Sequence, residues 1–305
     1  MDLQTLRTSL RGVLAFTPTC LRDDGSLDLD SQRGHAAFLA GSGVGAVVVC
    51  GGVGEFYAVD ESEYADLVRE TVDAVGGRIP VLAGVGHATA IATRLARIAA
   101  AAGADGLMVN PLYFVTPDAD GMVRHYREIG AASGLGLIVF STDGTVYDEA
   151  DLERLAEVEA AVAVKDEAGD QALFARCVDR LGDRYVWING MAELPAVDYA
   201  RMGAVAMTSG LVNLDPNVAL DVWAAALAGD ADRHAALVRE RIAPIAALRT
   251  ARPGYHITVI KEAMHLLGRC GPVVRLPLLP LRPEERAALA EHLDRCGYRR
   301  PEPVG

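Results

Sequence analysis

Short apolar runs alternate with amphipathic segments along the first 210 residues of the chain. The runs are continuously apolar, as strands buried on both faces of a parallel sheet are, and the segments between them follow helical periodicity. The eight runs cover residues 12–18, 45–51, 79–85, 106–110, 136–140, 161–165, 185–190 and 204–209. Eight strand–helix units predict an α/β fold, a (β/α)₈ TIM barrel. A doubly wound sheet is the competing fold, but it rarely needs eight strands in that length.

The pattern becomes entirely helical after about residue 215. Helical segments are predicted at 216–228, 231–249, 256–268 and 282–295. We therefore expect a (β/α)₈ barrel over residues 1–228 and a C-terminal helical extension over residues 229–305, packed on the barrel as one structural unit. A length of 305 residues suits a single α/β barrel.

Charge and composition exclude several classes of function. A net charge of −12 argues against nucleic acid or an anionic membrane as the main partner. The five cysteines form no CxxC pair, which predicts reduced thiols and a cytoplasmic location. The seven histidines show no metal-ligand spacing, and no apolar run is long enough to cross a bilayer. The segment "GSGVGA" misses the GxGxxG dinucleotide-binding motif and precedes a strand instead of following one. No cofactor, metal or membrane is therefore expected.

A lysine ends the sixth apolar run, in "AVAVKDEAGD". It is Lys165, and the chain has only one other lysine, Lys261, against 27 arginines. Arginine stays charged in proteins, whereas a desolvated lysine can become a neutral amine nucleophile. Chemistry in barrels lies at the C-terminal ends of the strands, where the sixth run places Lys165. We expect an imine-forming lysine; the alternative is a strand-end charge that faces water.

A glycine-rich turn follows the second run, in "CGGVGEFYAVDESE". The adjacent Gly51 and Gly52 let backbone N–H groups approach an anion closely. A tight turn without a ligand explains the same glycines, so the motif alone supports binding weakly.

Several motifs together resemble one enzyme family. They are "GGVGEF" at the second strand, "PLYFVTPDADG" after the fourth, "VFSTDG" at the fifth and "VKDEAGD" at the sixth. The set is similar to the dihydrodipicolinate synthase and N-acetylneuraminate lyase superfamily of class I, Schiff-base lyases, over about residues 12–295. The "GGxGEF" form, "VKD" and "NGM" at 189–191 most resemble its 5-dehydro-4-deoxyglucarate dehydratases.

The resemblance implies roles for individual residues. Lys165 would form the imine with a 2-oxo acid, and the Gly51–Gly52 segment would hold its carboxylate. Tyr113 matches an aromatic residue near a neighbouring subunit's site, which implies a homo-oligomer, a dimer or a tetramer. The pocket rim would include Gly190, Ser209 and Gly210, whereas Lys261, on a late helix away from the strand ends, would be structural.

The chain departs from the family at a proton relay. The fifth strand of relatives usually ends in a catalytic tyrosine, and here the matching residue is Phe140. The Thr or Ser that bonds to that tyrosine is replaced by Val53. The remaining candidates to move protons are Tyr113, Ser141, Thr142, Asp143 and Glu167. Of these we predict Tyr113 and Asp143 as catalytic beside Lys165, with Val53, Phe140, Ser141 and Glu167 lining the substrate pocket.

Three functions follow from these features. The first is a lyase that dehydrates and decarboxylates a sugar acid through a Lys165 imine. The second is a divergent aldolase or synthase that joins a 2-oxo acid such as pyruvate to a less polar partner. The third is a non-catalytic barrel that binds a small molecule.

Overall fold

Eight parallel strands close into a barrel in the computed structural model, which describes residues 1–112 and 114–299. Each strand pairs with its successor and β8 pairs with β1, which confirms the predicted (β/α)₈ fold. The strands are β1 Gly12–Phe16, β2 Ala46–Val49, β3 Val81–Val85, β4 Gly106–Val109, β5 Gly136–Ser141, β6 Ala161–Asp166, β7 Val186–Asn189 and β8 Ala206–Ser209.

Thirteen α-helices occur in the described residues. They are α1 Leu3–Ser9, α2 Leu29–Ala40, α3 Glu61–Val75, α4 Thr89–Ala101, α5 Ala119–Ser133, α6 Glu149–Leu155, α7 Gln171–Leu181, α8 Ala196–Arg201, α9 Pro216–Leu227, α10 Ala231–Leu237, α11 Ala243–Thr250, α12 Tyr255–Leu266 and α13 Pro283–Arg295. Local signals set their ends: α3 begins with a capping box of Asp60 and Glu63 and ends at Gly76, whose φ is 60°.

Helix α1 closes the N-terminal end of the barrel. Leu6 and Leu10 are buried against the interior apolar cluster that contains Leu14, Val48 and Ile138. The glycines that begin β4 and β5 make room for α1, because a Cβ at Gly106 or Gly136 would lie 2.8 or 2.6 Å from the Leu6 side chain. This end of the barrel is thus filled by packing, and the opposite end, where the strands terminate, remains for a site.

The segment predicted as one helix over 231–249 is divided. A π-helical turn, Val238–Ile242, separates α10 from α11. Pro244 lies in the first turn of α11, where it has no N–H to donate and its ring would clash with the carbonyl of an ordinary preceding turn. The chain accommodates the proline by widening the helix.

The proposed domain boundary at residue 228 stays a prediction. Among the described residues no helix combines the length and the apolarity needed to span a membrane.

Candidate active site

The amine of Lys165 lies inside the mouth of the barrel, at the end of β6. The side chain is 3% exposed, and the register pairs Lys165 with Phe140 on β5 and Ile188 on β7. Its Nζ lies 3.3 Å from the centroid of the Phe140 ring and 5.4 Å from that of Phe16, and it donates a hydrogen bond to Glu167 Oε2. The amine is therefore enclosed by two aromatic rings and one carboxylate.

Burial lowers the pKa of Lys165, because the ammonium form loses its hydration inside the barrel. The neighbouring carboxylates of Glu167 and Asp166 oppose that shift by favouring the charged amine. Desolvation is the larger effect, so the neutral, nucleophilic form is more accessible than for a lysine in water. Asp166 accepts a hydrogen bond from the Tyr199 hydroxyl, outside the cavity lining.

Part of the glycine-rich turn after β2 borders the same cavity. A Cβ at Gly51 would lie 2.7 Å from the Phe16 ring, so only glycine lets the turn pass this close to β1. Gly52 and Val53 line the cavity. Among the residues that the structure describes, none accepts a hydrogen bond from the N–H of Gly51, Gly52 or Val53. Consecutive unpaired N–H groups of this kind form an anion-binding concavity.

The conformation of this turn is fixed by Glu55. Its φ is 53°, and its buried carboxylate accepts hydrogen bonds from Lys261 Nζ at 2.6 Å and from the backbone N–H of Arg275 at 3.0 Å. Lys261 is fully buried. The expectation that Lys261 lies away from the strand ends is therefore wrong, since α12 brings it to the turn after β2. Its contacts are those of a structural residue.

The turn after β7 is built around Gly190. A Cβ there would lie 2.4 Å from the Asp166 carbonyl oxygen and 3.0 Å from Lys165 Cγ, so any side chain would displace the lysine. Asn189 folds the turn by accepting from the Met191 N–H and donating to the Ala192 carbonyl. The turn leads to Glu193, which is buried and accepts a hydrogen bond from the Ser209 hydroxyl.

These elements enclose a cavity of about 450 Å³, the size of a small-molecule site. Much of its wall is apolar, from Phe16, Val53, Phe140, Leu194 and Ile242. Its polar side chains among the described residues are those of Lys165, Glu167, Glu193, Thr208, Ser209, Arg249, Thr250 and His256.

Burial raises the pKa of Glu193, an effect opposed by the Ser209 hydrogen bond and the charge of Arg249. Sequence reasoning missed both Glu193 and Arg249. Glu193 lies two residues after the "NGM" motif, so that motif could have pointed to it. Arg249 has no such signal: it is one of the chain's 27 arginines, and it lies on a helix outside the barrel.

The structure brings together many of the predicted site residues. The cavity lining includes Lys165, Gly52, Val53, Phe140, Glu167, Gly190, Ser209 and Gly210. Gly51 and Ser141 are buried outside the lining, and Asp143 is exposed on the turn between Thr142 and Thr145, away from the cavity. Tyr113 lies outside the described residues.

Sequence comparison identifies a family. The model of the dihydrodipicolinate synthetase family matches residues 9–296. A probable 5-dehydro-4-deoxyglucarate dehydratase of Ralstonia nicotianae is 36% identical over 282 residues, which are 92% of this chain and 91% of the relative. A second such relative, from Streptomyces coelicolor, is 35% identical and covers 93% of this chain and 92% of its own.

Solved structures share the whole fold. Dihydrodipicolinate synthase from Bacillus clausii superposes with a TM-score of 0.88 at 33% identity, over 95% of this chain and 98% of that one. The chloride-inhibited synthase from Acinetobacter baumannii, complexed with pyruvate, gives a TM-score of 0.87 at 26% identity, over 95% and 99% of the two chains.

The fold and these similarities define an enzyme, a lyase of the class I type. More particularly, the chain belongs to the dihydrodipicolinate synthetase family, and it is similar to relatives named as 5-dehydro-4-deoxyglucarate dehydratases.

Proposed function

We propose that this lyase dehydrates and decarboxylates a 4-deoxy-5-oxo sugar acid, 5-dehydro-4-deoxyglucarate, through an imine on Lys165. The observation that carries the proposal is the buried Lys165 amine, which shares a cavity with Gly52 and Val53, whose N–H groups donate to no acceptor among the described residues. The keto carbonyl of a 2-oxo acid can react with the Lys165 amine, and its carboxylate can accept hydrogen bonds from the N–H groups of Gly52 and Val53.

The reaction begins when the neutral amine attacks the keto carbon. The C–N bond forms, the carbonyl oxygen leaves as water, and the protonated imine becomes the electron sink. Loss of a proton from the adjacent methylene then gives an enamine, which expels the next hydroxyl group as water. The distal carboxylate of the resulting conjugated imine leaves as CO₂, and the electron pair of the broken C–C bond passes along the conjugated chain to the imine nitrogen. After reprotonation on carbon, water hydrolyses the imine, which releases the product and restores the Lys165 amine. Several of these steps move a proton, and a positioned acid–base group accelerates such a step by about 10²–10⁴-fold.

We assign those proton transfers to Glu167. With Phe140 in place of the family tyrosine and Asp143 outside the cavity, Glu167 is the carboxylate bonded to the reacting amine. It is half-exposed, so it can exchange protons with water between turnovers. Lys165 is the catalytic nucleophile in this scheme and Glu167 its acid–base partner. No role is assigned to Tyr113.

A second candidate is an aldolase or synthase that joins a 2-oxo acid to a less polar partner. The apolar side chains of Val53 and Phe140, which line the cavity beside the amine, favour it.

The predicted homo-oligomer, a dimer or a tetramer, rests on the family resemblance, and the cytoplasmic location rests on five unpaired cysteines. Both remain predictions.

Turnover of 5-dehydro-4-deoxyglucarate tests the proposal. The purified protein should release CO₂ from this acid, and Lys165→Ala should release none. Failure to consume the acid, combined with consumption of pyruvate and an aldehyde, would instead support the second candidate.

A further inference from the structure

Arg249 carries a guanidinium group into the cavity from outside the barrel. It lies in the last turn of α11, where the C-terminal end of a helix favours a positive charge. Its position is defined by the end of β8: a Cβ at Gly210 would lie 3.4 Å from Arg249 Nη2 and 3.5 Å from Val53 Cγ2. The guanidinium is thus at the same rim of the cavity as Val53.

The outer edge of this guanidinium is free. Arg249 Nε donates a hydrogen bond to the His256 carbonyl at 3.2 Å, which orients the plane of the group. Among residues 1–112 and 114–299, nothing accepts a hydrogen bond from Nη1 or Nη2, and no carboxylate lies within ion-pair distance. Other arginines of the barrel, such as Arg94 and Arg154, pair with carboxylates on the surface.

Among the described residues, no carboxylate contacts the Arg249 guanidinium directly. Glu193 and Glu167 act on it only at longer range, and each carboxylate already has a partner, the Ser209 hydroxyl and the Lys165 amine respectively. Burial disfavours the charged form of Arg249 and lowers its pKa, yet a guanidinium stays protonated in proteins. A half-buried cation with two free parallel donors matches a carboxylate, which accepts two hydrogen bonds side by side.

We infer that Arg249 binds a second carboxylate of the substrate, so that the enzyme selects 2-oxo dicarboxylic acids over monocarboxylic ones. This inference rests on the proposed function, in which Lys165 and the N–H groups of Gly52 and Val53 hold the 2-oxo acid end. The substrate then spans the cavity from the amine to the guanidinium, with its chain against the apolar wall. Arg249 acts as a specificity-determining residue.

Three acids separate the contributions of the 2-oxo acid end, the carbon chain and the second carboxylate. They are pyruvate, 2-oxohexanoate and 2-oxohexanedioate. Affinity is measured by calorimetry, and imine formation is measured in parallel by borohydride reduction and mass spectrometry. The wild-type protein should bind 2-oxohexanedioate about ten- to a hundredfold more tightly than 2-oxohexanoate, the difference typical of a charge-assisted hydrogen bond. Arg249→Leu should abolish that preference and leave the affinity for pyruvate unchanged, and Arg249→Lys should retain part of the preference.

The matched control is Arg239→Leu. Arg239 is exposed on the π-helical turn before α11 and pairs with Glu240, so its loss changes the net charge equally without touching the cavity. The preference should survive in this variant. Equal weakening of all three acids in Arg249→Leu, or no preference in the wild-type protein, would overturn the inference. A calorimetric preference without any reduced adduct would support the Arg249 site and refute the imine.

Discussion

The ring of Phe140 lies directly against the amine of Lys165, with 3.3 Å between Nζ and the ring centroid. The two residues are paired across β5 and β6, so the Phe140 ring lies where the resemblance implies a tyrosine beside the lysine. An aromatic face stabilises a nearby cation but supplies no exchangeable proton. In the proposed mechanism the chain therefore has the nucleophile, Lys165, but lacks the hydroxyl that the family resemblance implies beside it.

Restoring both missing hydroxyls tests whether their loss limits the present activity. Phe140→Tyr combined with Val53→Thr should raise dehydration of 5-dehydro-4-deoxyglucarate by about 10²-fold, since a proton relay contributes at least that much. Val53→Thr alone should give no gain, because its hydroxyl would lack the tyrosine partner. Steady-state kinetics measures both variants. A slower double variant would show that the site has adapted to a different reaction.

Glu167→Gln separates the two effects of this carboxylate. Turnover should fall by about 10²–10⁴-fold, because the acid–base group is lost. The pKa of Lys165 should decrease further, since the charge of Glu167 raises it in the native protein. Imine formation with pyruvate should consequently begin at lower pH than in the wild type.

Single-turnover trapping over a pH series measures that shift. Glu153→Gln, which removes an exposed carboxylate paired with Arg180 on the surface, should change neither property. An unchanged turnover number in Glu167→Gln would exclude Glu167 as the acid–base group.

The buried Lys261–Glu55 pair should dominate the stability of the glycine-rich turn. Lys261→Met leaves the Glu55 carboxylate buried and without its cation, which should cost about 3–5 kcal/mol in the free energy of unfolding. Glu55→Gln combined with Lys261→Met should cost less, because no uncompensated charge remains. Urea unfolding measures these values.

Arg94→Met is the control for that experiment. The Arg94–Glu61 pair is exposed, so its loss should cost less than about 1 kcal/mol. Similar losses in Lys261→Met and Arg94→Met would contradict the structural role assigned to Lys261.

Most of the fold was accessible to sequence reasoning because buried parallel strands and amphipathic helices carry distinct patterns. Every predicted strand is present within three residues at each end. The sequence also placed Phe140 and Lys165 at the ends of consecutive strands, where the structure pairs them. The π-helical turn at Val238–Ile242 did not follow, since the preceding pattern is helical and only the proline marks the interruption.

The site was less accessible where it depends on distant segments. Nothing local distinguishes Arg249 from the other arginines; only the path of α11 over the barrel mouth brings it to Gly210. Asp143 illustrates the converse case: it belongs to a family-like motif, yet on the turn from Thr142 to Thr145 its side chain is exposed, and its catalytic role stays a prediction. Which loop side chains enter a cavity depends on turn geometry that the apolar pattern does not encode.

Reductive trapping of Lys165 tests the account most directly. The protein is incubated with pyruvate, reduced with borohydride, digested and analysed by mass spectrometry. The mass of the reduced acid should appear on the peptide that contains Lys165 and not on the one that contains Lys261, whose amine is fully buried against Glu55. Lys165→Arg should abolish the adduct, because a guanidinium does not form an imine. An adduct on Lys261, or one that persists in Lys165→Arg, would contradict the central claim.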